Sequence, residues 1–74
     1  MKQKTEIFIE TPTINLAQLL KMAGLAENGG QAKHLVREGL VKVNEKTCLQ
    51  PGKQLAPGDV ILLGEEELCI FWKK

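Results

Sequence analysis

Lys33 and Arg37 stand four residues apart in the stretch Asn28-Gly-Gly-Gln-Ala-Lys-His-Leu-Val-Arg-Glu-Gly-Leu-Val-Lys-Val-Asn44. At about 100° per helical residue they share one flank, a single turn apart. Ahead of them, Gly29 and Gly30 would leave the backbone N–H groups of a helix start uncovered. Two cations behind bare donors are suited to holding a phosphate rather than to making or breaking bonds. The same residues also fit a plainer account, in which the cations are a solvated face and the glycines only a turn. His34 is read as a surface or capping histidine, because no second ligand lies at zinc spacing from it.

Catalysis is not expected. The chain has one His, no nucleophile–base pair, no paired carboxylates on one element, and no phosphate-loop or metal motif. No cofactor, metal or small-molecule substrate is therefore assigned.

The elements that would position these residues follow from capping signals. Asn28 suits an N-cap, with Gln31 placed to reach back as in a capping box. Gly39 suits the left-handed stop, and Leu40 can close over the last turn. Ala32, Leu35 and Val36 form the inward stripe. The signature occurs once before: Asn15 caps, Gln18 is its partner, Ile14 and Leu19 form a staple, Gly24 stops the helix and Leu25 packs back. Leu16, Leu19, Leu20 and Ala23 face inward there while Lys21 faces out. Neither helix is long enough to hold alone in water, so both need a sheet.

Strands are expected on both sides. Thr5 to Glu10 is β-branched and aromatic, and Thr11-Pro12-Thr13 ends it. Val41-Lys42-Val43 alternates, Asn44-Glu45-Lys46 turns with Asn44 able to take a positive φ, and Thr47 to Leu49 returns. Gln50 to Lys53 and Ala56 to Asp59 are turns. Val60 to Leu63 and Leu68 to Trp72 are strands joined through Gly64 and three glutamates, which read as a soluble hairpin tip. Phe71 and Trp72 are expected in the core or at an edge. The order is that of a small α+β domain, with helices on one side of an antiparallel sheet.

The 74 residues suffice for one domain with one small core. Residues 1–13 read as an N-terminal strand extension, 14–63 as the core and 64–74 as a C-terminal strand. The chain is 43% hydrophobic and 26% charged, hence globular, and no apolar run approaches a membrane span. The N-terminal lysines precede no apolar segment, so no secretory signal is read and a cytoplasmic location is expected. Cys48 and Cys69 share no motif and are expected as free thiols, a disulfide remaining the alternative. A net charge of +1 says nothing for nucleic acid; only the distribution of charge bears on it.

Taken together, Leu16 to Ile61, about two thirds of the chain, resembles the RNA-binding domain named after small-subunit ribosomal protein S-four. The markers are Leu19-Leu20, Gly24-Leu25-Ala26, Gln31-Ala32-Lys33, Glu38-Gly39, Val41-Lys42-Val43-Asn44 and Pro57-Gly58-Asp59-Val60-Ile61, in that order. The whole chain is similar to the short free-standing bacterial form, which has an extra N-terminal strand and no catalytic domain. The resemblance implies an αL-type fold, two short helices packed on a small bent antiparallel sheet. It implies an RNA-binding face on the helix pair, the second helix's N-terminus and the following hairpin. Carried onto this chain, that face comprises Lys21, Asn28, Gly29, Gly30, Gln31, Lys33, His34, Arg37, Lys42, Asn44 and Lys46. Two positions depart from the family pattern. Asn28-Gly29 stands where Ser-Arg is usual, which removes one phosphate-binding side chain. Asn44-Glu45 stands where Asn-Gly is usual, which adds a negative charge.

From Leu20 to Lys46 there are five Lys or Arg against three Glu, a ridge that would neutralise about three to five phosphates. The face has no Phe, Tyr or Trp, so base stacking would not dominate and shape-reading of folded RNA fits better. The expected partner is structured RNA, ribosomal or transfer, with the ribosome as its setting and the protein a monomer. A protein-interaction module keeping the fold without the RNA role is the alternative, favoured by near-neutral charge, Gly29 and Glu45. A helix-turn-helix DNA binder suits the linker and trailing strands poorly.

Overall fold

The computed structural model describes residues 3–73. In chain order the elements are β1 (Gln3–Ile9), β2 (Ile14–Asn15), α1 (Leu16–Met22), α2 (Gly29–Arg37), β3 (Val41–Val43), β4 (Lys46–Thr47), β5 (Gln54–Leu55), β6 (Val60–Leu63) and β7 (Glu66–Trp72). Met1, Lys2 and Lys74, which belong to the expected terminal segments, lie outside the described residues.

Both helices begin and end as their capping residues dictate. Asn15 Oδ1 accepts the Gln18 N–H at 2.7 Å, and Asn28 Oδ1 accepts the Gln31 N–H at 2.8 Å. At each C-terminus a glycine with φ +77° turns the chain, Gly24 after α1 and Gly39 after α2. The carbonyls left over are then satisfied in the same pattern twice. Gly24 N–H donates to Lys21 O and Leu25 N–H to Leu20 O; Gly39 N–H donates to Val36 O and Leu40 N–H to Leu35 O. These are paired Schellman closures. Leu25 packs against the core, as expected, but Leu40 does not close over its turn and stays 52% exposed. The sheet strand β3 begins immediately after it, and Val41 takes the buried position instead.

The main sheet has strand order β1-β7-β6-β3-β4, and β2 pairs with β5 in a separate two-stranded ribbon. The two-helix α+β fold is the expected one, but the sheet is mixed rather than wholly antiparallel. β1 runs parallel to β7, Gln3 opposite Glu66 through Ile9 opposite Trp72. The physical reason is the exit of β1. Ile9 lies at the end of the sheet from which the chain must reach β2 and α1, and its carbonyl accepts the Lys73 N–H there at 2.7 Å. A parallel neighbour requires a long crossover, which the helix pair and the strands after it, β3 to β6, supply together.

One apolar cluster joins the layers: Leu16, Leu19 and Leu20 of α1, Ala32 and Val36 of α2, and Val41, Ile61, Leu68 and Ile70 of the sheet, all buried. Leu35 and Ala23 pack at its margin. Ile14 and Leu19 are both buried at the start of α1. Ile14 does so as part of β2, since Ile14 and Asn15 pair with Leu55 and Gln54 before the helix starts. Glu66 and Glu67 are strand residues of β7, so the hairpin tip is only Gly64-Glu65.

Phe71 and Trp72 are neither in the core nor on an edge strand. β1 lies outside β7, which makes β7 an inner strand, and the two residues are 41% and 47% exposed, Phe71 because it alternates with buried Ile70. The Phe71 ring stacks instead on Phe8 of β1, centroids 5.5 Å apart, on the sheet face away from the helices.

Candidate nucleic-acid interface

The leading turn of α2 is the centre of the candidate face. Asn28 Oδ1 holds the Gln31 N–H, and the Asn28 carbonyl accepts Ala32 N–H at 3.0 Å. Gln31 Oε1 reaches back to the Glu27 N–H at 2.6 Å, one residue earlier than a capping box requires. The acceptor oxygens of both side chains are thus engaged in holding the turn. The turn contains no acidic residue. Space around its two glycines differs. Nothing lies within 4 Å of a Cβ placed on Gly29, whereas one placed on Gly30 meets Asn28 Oδ1 at 3.3 Å. Room for a side chain is therefore open at Gly29 and restricted at Gly30, while Gly29 itself is half-buried and Gly30 exposed.

Behind that turn, Ala32 and Val36 are buried while Lys33, His34 and Arg37 are exposed. Lys33 and Arg37 occupy one flank a turn apart, as their spacing implies. Lys21 is exposed in the last turn of α1, and α1 packs directly against α2.

The hairpin residues are distributed differently. Lys42 lies between buried Val41 and Val43, so its side chain leaves the sheet on the face opposite the helices. There it lines a groove with Glu45, Val60, Leu62 and Glu67. Asn44 and Glu45 both take positive φ, 50° and 73°, and make the two-residue loop of the β3–β4 hairpin. The Asn44 side chain is held at both ends. Its Nδ2 donates to Asp59 Oδ1 at 3.0 Å, and its Oδ1 accepts the Val60 N–H at 3.0 Å. Lys46, paired with Val43, is exposed. Lys53, which belongs to none of the sequence motifs above, lines a second groove together with Lys46. Its only signal in the sequence is its place in the turn after Gln50.

What this arrangement can do is bind an anionic polymer by charge and peptide N–H groups. Among the described residues there is no group of three or more His, Cys, Asp or Glu that could hold a metal ion. Both cysteines are free.

Residues 7–71 match the protein family described as S4 domain. Among curated proteins, the probable ribosome maturation protein RlbA of Bacillus subtilis (strain 168) is 40% identical over 55 residues, covering 74% of this chain and 78% of that protein.

Proposed function

The chain belongs to the S4-domain family, and on that premise we propose that it is a non-catalytic RNA-binding protein that docks on structured RNA, ribosomal or transfer, through its helix-pair surface. The observation that carries this reading is the α2 surface: an acid-free first turn with Gly30 exposed, followed by exposed Lys33 and Arg37 on one flank. Helix N-terminal N–H groups and two cations one turn apart suit a phosphate backbone. The name of the Bacillus subtilis relative supports the ribosome as the setting. A cytoplasmic protein acting as a monomer completes the reading. The helix surface offers no aromatic ring, since Phe8, Phe71 and Trp72 lie on β1 and β7. Recognition by shape, phosphates and 2′-hydroxyls is the mode that fits.

Filter binding to a folded ribosomal RNA fragment and to a transfer RNA, at rising salt, tests this. Affinity should fall with salt at a log–log slope of roughly −2 to −4.5, for three to five phosphates. The K33E/R37E double variant should lose at least tenfold while keeping its circular dichroism. Equal binding by that variant would overturn the proposed face. The protein-interaction alternative draws its own support from the exposed Phe8–Phe71 stack; salt-insensitive RNA binding, or none, would favour it.

A further inference from the structure

Two grooves flank the β3–β4 hairpin, and their charge differs. The one on the outer sheet face sets Glu45 and Glu67 against Lys42. The other is lined by Asn44, Lys46, Thr47, Leu49, Gln50 and Lys53, with no carboxylate among its lining residues. It is the second groove that is continuous with the helix pair. At one end it abuts the stop of α2, where a Cβ built on Gly39 lies 3.8 Å from Leu49 Cδ2 and 3.9 Å from Thr47 Cγ2. At the other, its wall caps the start of α1: Lys53 O accepts the Leu16 N–H and Pro51 O the Ala17 N–H, both at 3.0 Å.

That wall is also braced. The Lys53 N–H donates to Gln50 O at 3.1 Å, and the Cys48 thiol donates to the same carbonyl at 3.6 Å. The Lys53 backbone is therefore fixed on both sides while its side chain stays in solvent. A cation on a fixed backbone loses less freedom on meeting an anion than one on a mobile loop.

We propose that this groove is a second phosphate-binding subsite for RNA, with Lys46 and Lys53 as its cations and Thr47 and Gln50 as neutral hydrogen-bonding partners. It extends the backbone path from the Lys33–Arg37 flank past the end of α2 towards the start of α1. The proposal rests on the RNA-binding reading above. It assigns Lys53, and it groups Lys46 with Lys53 rather than with Lys42.

The test is the salt dependence of binding to the same folded RNA by wild type, K46Q/K53Q, K46R/K53R and K33E/R37E. Each phosphate left without its cation should flatten the slope by about 0.7 to 0.9. K46Q/K53Q should therefore flatten it by about 1.4 to 1.8 and weaken binding several-fold, while K46R/K53R keeps the wild-type slope. Both pairs should melt with wild type, because the removed groups are solvent-exposed side chains and the capping groups are backbone. A K46Q/K53Q slope equal to wild type, with K33E/R37E still impaired, overturns the groove alone. Salt-independent or absent binding by wild type overturns the RNA reading and the groove together.

Discussion

Asn44 and Asp59, fifteen residues apart in sequence, are joined side chain to side chain at 3.0 Å. Asp59 uses its other oxygen to accept the Ala56 N–H at 2.9 Å, and Asn44 accepts the Val60 N–H. The pair ties the hairpin loop after β3 to the turn before β6. The family resemblance places Asn44 on the RNA face, yet its side chain is engaged in this closure.

Replacing Asn44 by glycine isolates that role, since glycine keeps the positive φ and removes only the side-chain bonds. A decrease of about 1 to 3 kcal/mol in stability is expected, which for a domain of this size lowers the melting midpoint by roughly 4 to 8 °C per kcal/mol. RNA affinity measured below the transition should stay within about twofold of wild type. An unchanged melting curve would show that the closure adds nothing to stability.

The two glycines of the α2 turn should respond unequally to substitution. Gly29→Ala has open space and is expected to stabilise by about 0.4 to 1 kcal/mol. Gly30→Ala must displace Asn28 Oδ1, 3.3 Å away, from a cap that holds Gln31, so its gain should be smaller or negative. Gly29→Arg, which adds a cation at the start of α2, should bind folded RNA several-fold more tightly and steepen the salt slope by about 0.7 to 0.9. Thermal melts and salt titrations of the three variants decide the matter.

Lys42 and the helix cations should separate in charge-reversal experiments. Lys42 leaves the opposite face of the sheet from the helices, beside Glu67. At physiological salt the screening length is about 8 Å, so a charge on the far face contributes little. Lys42→Glu is expected to change RNA affinity by less than about threefold, against tenfold or more for K33E/R37E. A comparable effect from both would mean that RNA wraps the sheet edge.

Cys69 supplies a pH-dependent observable. Partial burial, and after it the neighbouring Glu67 carboxylate, push its thiol pKa up from the ordinary value. Folding thus favours the neutral thiol; the stability this contributes is present below the unfolded-state pKa and is lost as pH rises towards the folded one. Alkylation of Cys69, followed by peptide mapping, should need a more alkaline pH in the native protein than in urea. Glu67→Gln should move the native profile part of the way back. Coincident native and unfolded profiles would contradict the shift.

The helices were legible because the groups that start and stop them are neighbours in sequence. Asn15 and Asn28 reach N–H groups three residues on, and Gly24 and Gly39 turn the chain within the last helical turn. The outward flank of Lys33 and Arg37 followed from the same local geometry. Strand alternation likewise showed that Lys42 opposes Val41 and Val43, but not that the helices would cover the valine face.

By itself, then, the sequence determined two capped helices, a turn opening at Asn44, the run of strands and the family, though it carried that turn one residue too far, through Lys46, which the structure places in β4. Each depends on contacts spanning a few residues, whose geometry residue type dictates. Only the tertiary structure decided the parallel seating of β1 beside β7, the exposure of Phe8 and Phe71, the closure of Asn44 on Asp59 and the groove that unites Lys46 with Lys53. Those depend on which distant segments lie side by side. That choice is made by burying the whole apolar cluster at once, and no local run of residues encodes it.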